Sequence, residues 1–347
     1  MAMRPDEPGM MKRFWLRVRA FVARLLRREV APGRFEAGHA SSLRGLLTTA
    51  PLVPPTRDYL LYVPRGHSRL RRAALIVLCH GCRQTPEDIA GLSRITEHAD
   101  RTGSLVLLPR QVDGANAYRC WNWFEANTSH GGGEAAIVAA QIVAVRRRYR
   151  ARRERVFVVG LSAGAALAAV LGLRYPRLIR GVVAHSGLAC GAASSPATAL
   201  TVMRHGPDND VARVADSARA ADGDPPDTVP LLVIQGDRDD VVDPINGVAL
   251  VDQYLRFNAH AAGRDGYRPA AALPPSDAMA HEAENDARHG TRTDDRIAGG
   301  RIVVRHVTVE GLGHAWSGGN GDYAFADSRG PDALELFARF ADAARLT

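Results

Sequence analysis

The five residues Gly160-Leu161-Ser162-Ala163-Gly164 constrain this chain more than any others. They follow a short β-branched run at residues 155–159 and precede a run of helix formers at 165–171. That order predicts a strand, a sharp turn and a helix. A serine on such a turn is held in a strained backbone conformation with Oγ exposed at the top of a sheet. The small residues two positions to either side leave room for the bend and for a substrate. The pattern alone is common, but in this setting it makes Ser162 a candidate nucleophile.

Serine is a weak nucleophile at neutral pH. It needs a base, and the base needs an orienting carboxylate. On this kind of sheet the chain order is serine, acid, histidine. A predicted strand at 230–234 runs into Gly236-Asp-Arg-Asp-Asp240, and one at 301–309 runs into Gly311-Leu-Gly-His314. Both clusters lie just past the carboxyl end of a strand, where open α/β sheets present their sites. His314 is therefore the candidate base. Spacing alone leaves Asp237, Asp239, Asp240 and Asp243 open as the acid. Ester attack builds charge on the carbonyl oxygen, which two fixed N–H donors should meet. One is expected from Ala163. The other is expected from the loop His80-Gly-Cys82, where the backbone of Cys82 and not its thiol would act.

The remaining pattern alternates short apolar strands (59–63, 74–78, 104–108, 181–185) with helices (85–99, 134–149, 246–257, 331–345). This predicts an α/β fold, a mostly parallel sheet with helices on both faces. At 347 residues and 46% hydrophobic content, one such domain with insertions is expected. Residues 1–30 form a basic amphipathic segment, 31–57 a linker and 58–347 the catalytic domain. Within that domain 188–228 are a cap-like excursion and 260–300 a mobile loop.

The net charge of +8 invites a nucleic-acid partner, but its distribution excludes one. Residues 1–30 hold eight basic and three acidic side chains, and the rest is only mildly basic. Lys12 is the single lysine, so the arginine excess reads as compositional bias. In residues 11–28, Phe14, Val18, Phe21, Val22 and Leu25 share one helical face, flanked by Arg13, Arg17, Arg24 and Arg28. Such a helix suits a polymer granule or anionic membrane surface; otherwise it packs on its own domain or is a basic tail. Arginine every few positions is unlike a cleavable signal peptide, so a cytoplasmic place or one peripheral to a membrane or granule is expected. No metal ligand set and no cofactor motif is recognised: Cys79-His-Gly-Cys82 has no second pair, and the histidines lack H-E-x-x-H spacing.

Several longer motifs occur together. They are His80-Gly-Cys-Arg-Gln84 with Thr85-Pro86, Cys120-Trp-Asn-Trp-Phe124, Gly132-Gly-Glu134, residues 155–164, and His185-Ser-Gly187 with Gly191-Ala192. Residues 236–242 with Asn246, and Gly313-His-Ala-Trp-Ser-Gly-Gly319, complete the set. In these residues the chain resembles the polyhydroxybutyrate (PHB) depolymerase family of esterases, itself similar to bacterial feruloyl and acetylxylan esterases. The resemblance spans about residues 58–342. It implies an α/β-hydrolase fold, Asp239 as the acid, hydrolysis of short-chain hydroxyalkanoate or related esters, and no cofactor.

Three features depart from the family. Ala165 and Leu167 replace a common Gly and Met, no separate polymer-binding domain follows, and a basic helix stands where secreted members carry a signal. A feruloyl or acetylxylan-type esterase is the alternative activity. A granule- or membrane-surface binding protein with a decayed site is the alternative of another class; the complete set of Ser162, Asp239, His314 and Cys82 argues against decay. Trp121, Trp123 and Trp316 are either core aromatics or an apolar wall for the acyl chain. Cys82 and Cys120 flank the site at one end of the sheet, and free thiols are expected if the compartment is reducing.

Overall fold

Strands that read as unbroken apolar runs should be covered on both faces, and they are. In the computed structural model, which describes residues 31–42, 56–222, 228–259, 268–269, 289–344 and 346, the strands β1 (Arg34–Ser41), β2 (Thr56–Val63), β3 (Leu75–Cys79), β4 (Leu105–Pro109), β5 (Val156–Leu161), β6 (Gly181–His185), β7 (Leu231–Gly236), β8 (Arg268–Pro269), β9 (Thr291–Ala298) and β10 (Arg301–Val309) form one sheet. Its order is β1-β2-β4-β3-β5-β6-β7-β10-β9-β8. The central strands β4, β3, β5, β6, β7 and β10 run parallel, and the flanking pairs are antiparallel. A small second sheet pairs β11 (Trp316–Ser317) with β12 (Ala326–Asp327).

The helices are α1 (Pro86–Ser93), α2 (Ile95–Thr102), α3 (Ala126–Ser129), α4 (Gly133–Tyr149), α5 (Ala163–Arg174), α6 (Pro196–His205), α7 (Val211–Asp222), α8 (Ile245–Phe257) and α9 (Ala333–Ala343). Strand alternation divides the core into two layers. Leu75, Val77, Val156, Val158, Leu231 and Val233 face α4, α5 and α8. Ile76, Leu78, Phe157, Val159, Leu232 and Ile234 face α1, α2 and α9. Each fully buried Leu, Val or Ile contributes about 1.5–3 kcal/mol, so this two-sided covering holds the strand ends in place.

Several expectations are corrected. The expected linker, 31–57, contains β1, and Thr56 and Arg57 already belong to β2, so the catalytic domain begins before residue 58. Residues 43–55 lie outside the described residues, as does the amphipathic segment 1–30. The expected loop 260–300 includes β9, which pairs along β10, and the short β8; residues 260–267 and 270–288 are not described. The excursion 188–228 contains α6 and α7, and α7 packs on α8 and α5. The helix expected over 85–99 breaks at Arg94, whose φ of 55° ends α1. Thr85 starts α1 with a capping box closed by Asp88.

Candidate active site

The register aligns the carboxyl ends of β5, β6, β7 and β10 at one edge, opposing Leu161 to His185, His185 to Ile234 and Gly236 to Val309. Ser162 follows β5 directly with φ 56° and ψ −122°, a conformation that costs a non-glycine residue energy. The turn is tied to the sheet by the Ser162 N–H donating to the His185 carbonyl at 2.9 Å. A Cβ on Gly164 would overlap the Cys79 carbonyl, and one on Gly160 would overlap the Gly164 carbonyl. Both glycines are thus required by close backbone approach. We expect Gly164→Ala to destabilise the fold by about 2 kcal/mol or more in urea unfolding, since its Cβ would meet the Cys79 and His80 carbonyls, which are backbone and cannot swing aside. Wild-type stability in that variant would remove this account of the turn.

The acid and histidine loops are stitched together by backbone. Asp237 and Arg238 donate their N–H groups to the Val309 and Leu312 carbonyls, and the Asp237 carboxylate accepts the Gly311 N–H at 2.6 Å. Gly236 permits this approach, because a Cβ there would overlap the Leu312 carbonyl. The stitching brings His314 Nδ1 to 2.9 and 3.0 Å from the two Asp239 oxygens. Of the four candidate acids Asp239 is therefore the one paired with the ring. Asp237 braces the histidine loop, and Asp243 accepts the N–H of Ile245 at the start of α8.

Asp239 is buried, and burial alone would raise its pKa. The hydrogen bond and charge of His314 outweigh that, helped by the Val242 N–H and Ser186, and hold the carboxyl below its usual value. Gln235 Nε2 and the N–H of Val241 also donate to it. Ser162 Oγ makes no hydrogen bond to His314 here; such contacts often tighten only with substrate bound.

Gly81 lies close to Ser162: a Cβ added to it would stand 3.6 Å from Ser162 Cβ. In this loop the N–H groups of Gly81, Arg83 and Gln84 donate to Gln84 Oε1, the Tyr118 carbonyl and the Gly81 carbonyl. The Cys82 N–H takes no part in that bonding. Ala163 opens α5, where first-turn N–H groups have no intrahelical acceptor.

Cys82 and Cys120, whose bridging the sequence left open, form a disulfide, with Cα atoms 4.2 Å apart. Trp121, Trp123 and Trp316 are 0%, 3% and 1% exposed, which favours the core reading of the two. Trp121 Nε1 donates to the His80 carbonyl at 3.0 Å, and Trp316 stacks on His185 with ring centroids 5.3 Å apart.

Two histidines behind the site were not singled out by sequence reasoning. His80 Nδ1 lies 2.8 Å from the Gly81 carbonyl, and its Nε2 accepts the Gln111 N–H. His185 Nε2 accepts the Ser317 N–H at 3.0 Å, and its Nδ1 faces Ser186 Oγ at 3.3 Å. Burial pushes His80 down to about 4, and burial together with the His314 charge pushes His185 down to about 3. In the unfolded chain both rings would protonate near pH 6.5. Below about pH 6.5 the unfolded state therefore binds more protons, and the fold loses stability as pH falls. We expect the melting temperature to drop by several degrees between about pH 7 and about pH 5. An unchanged value would show that the two rings do not stay neutral in the fold.

The family model described as "Esterase PHB depolymerase" matches residues 57–272. A poly(3-hydroxyalkanoate) depolymerase C from Paucimonas lemoignei is 30% identical over 265 residues, 75% of this chain and 59% of that protein. A feruloyl esterase B from Neurospora crassa is 30% identical over 131 residues, 37% of this chain and 44% of its own. The chain thus spans about half the length of the curated relatives it matches. Among solved structures, an acetyl xylan esterase from Aspergillus awamori superposes with TM-score 0.60 at 19% identity, covering 80% of this chain and 94% of that one. A ferulic acid esterase covers 91% and 98% at TM-score 0.50 and 15% identity. The fold is that of the α/β-hydrolases.

Proposed function

We propose, from the premise that this chain belongs to the esterase PHB depolymerase family, that it is a serine esterase cleaving short-chain hydroxyalkanoate esters. The observation that carries this reading is His314 Nδ1 held on the Asp239 carboxylate, at the same end of the sheet as a serine at positive φ. Ser162 Oγ attacks the ester carbonyl while His314 Nε2 takes its proton. Asp239 keeps Nδ1 protonated and stabilises the imidazolium. The N–H groups of Cys82 and Ala163 hold the oxyanion. His314 then protonates the leaving alcohol, and water, activated by the same ring, releases the acid from the acyl-enzyme.

Feruloyl or acetylxylan-type activity is the second reading, favoured by the relatives and folds of those names. A panel of p-nitrophenyl esters, hydroxybutyrate oligomers, amorphous polymer granules, methyl ferulate and acetylated xylan separates the two. Higher kcat/KM on the oligomers supports the first reading, and higher kcat/KM on the carbohydrate esters replaces it. Failure on every ester leaves the surface-binding alternative. Docking of residues 11–28 on a granule or anionic membrane belongs to the same proposal and is read by co-sedimentation of a variant lacking residues 1–30.

A further inference from the structure

The sheet end opposite Ser162 carries a different chemistry. A cleft of about 1100 Å³ opens there, lined by Arg65, Arg71, Arg72, Arg152 and Arg155. It shares Arg72 with a second cleft walled by Arg146, Arg147, Arg150 and Arg153. It shares Arg152 and Arg155 with a third, bordered also by Arg180 and Arg301. Glu154 and Asp342 are the acidic residues on these walls. The site end carries Asp237, Asp240, Asp243 and Glu310 beside Arg238. Arginines also stand at the site end, but there Arg110 and Arg119 pair with Glu87 and Asp113, whereas the clefts of the opposite end hold many arginines against two acids.

Two features mark this face among the described residues. Arg71, Arg72, Arg147, Arg150, Arg152 and Arg153 are exposed, and Arg146 is depressed by burial and by the charges of Arg153 and Arg147. Leu70, 92% exposed, projects from the same loop between Arg69 and Arg71. An apolar side chain in water ringed by arginines matches the boundary between anionic headgroups and acyl chains, where both find partners. Single-stranded nucleic acid would need a stacking platform. The exposed aromatics Phe35, Tyr118, Tyr323 and Phe325 line none of these clefts.

We propose that this arginine face, with Leu70 as its apolar wedge, docks the domain on an anionic phospholipid surface. The site end then points into the aqueous phase, because the parallel strands separate the two ends by roughly 15–20 Å. A substrate would reach Ser162 from solution and not from the surface that holds the protein. The proposal does not depend on the esterase reading, nor on residues 11–28.

The test is co-sedimentation of the full-length protein with phosphatidylcholine vesicles containing about 30 mol% phosphatidylserine, and with phosphatidylcholine alone. Four proteins are compared: wild type, Arg71→Glu/Arg147→Glu/Arg153→Glu, Leu70→Ser, and Arg13→Glu/Arg17→Glu/Arg24→Glu, each checked by thermal melt. We expect wild type to bind the anionic vesicles alone, and reversal on the face to weaken binding about tenfold or more. Leu70→Ser should weaken it about threefold, and reversal in residues 13–24 should leave face-dependent binding in place. If reversal on the face changes nothing while reversal in residues 13–24 abolishes binding, the proposal is wrong. If duplex DNA displaces wild type from the vesicles and Leu70→Ser is silent, the face is a nucleic-acid surface and the proposal is equally overturned.

Discussion

Ser162→Ala is expected to lower kcat on a short p-nitrophenyl ester by about 10⁴-fold or more, with KM and melting temperature little changed. His314→Ala should cost about as much. The double variant should be no worse than either single one, because a nucleophile without its base and a base without its nucleophile fail together. What survives is catalysis by the oxyanion donors and binding, about 10³–10⁴-fold over water. Asp239→Asn should cost on the order of 10³–10⁴, since an amide facing Nδ1 leaves the ring in the wrong tautomer. Asp237→Asn is the control: its remaining carbonyl oxygen can still accept the Gly311 N–H, so turnover should stay near normal. Near-normal turnover in Asp239→Asn with collapse in Asp240→Asn would move the acid.

The parts legible in the sequence are those whose physics is local. Strands β3, β5 and β7 are buried along their whole length, so each shows as an apolar run. Ser162 stands out because close backbone approach demands its flanking glycines, and His314 because it follows a strand and lies by Gly311, whose φ of 75° favours glycine. Strand β1, Arg34-Phe-Glu-Ala-Gly-His-Ala-Ser41, hides because it is an edge strand, half exposed, with no apolar face to advertise it. Strand β9 carries Thr, Arg and Asp where it lies at the sheet's border, and so reads as loop. The disulfide was not legible because cysteine spacing does not set connectivity. Gln235 had a signal: it is a polar residue ending a wholly buried strand, and it donates to Asp239. Only the resemblance selected Asp239 among four acids, since that choice depends on which carboxylate the stitched loops turn toward the ring.

The contact that local reasoning misses altogether lies beneath the His80–Cys82 loop. Arg57 and Glu134, 1% and 3% exposed, are 3.6 Å apart. Burial raises the Glu134 pKa and lowers that of Arg57, each group being pushed toward its neutral form. Hydrogen bonds offset this cost. Glu134 accepts from Gln111 Nε2, the Asn122 N–H at 2.7 Å and Asn122 Nδ2. Gln111 Oε1 accepts from Arg57 Nε, and its Nε2 also donates to the Cys120 carbonyl. The network thus holds Cys120, and through the disulfide Cys82, in place below the proposed oxyanion position. Glu134→Ala leaves a buried guanidinium without its carboxylate and should cost about 3–5 kcal/mol in urea unfolding. Glu134→Gln retains an acceptor for Asn122 and should cost less. Replacing both partners, Arg57→Met with Glu134→Leu, should recover much of the stability, because no charge is then stranded. It should not recover kcat, since Gln111 and Asn122 lose the carboxylate that fixes them. Full stability in Glu134→Ala would mean that water reaches the pair; full kcat in the double variant would mean that the disulfide alone positions Cys82.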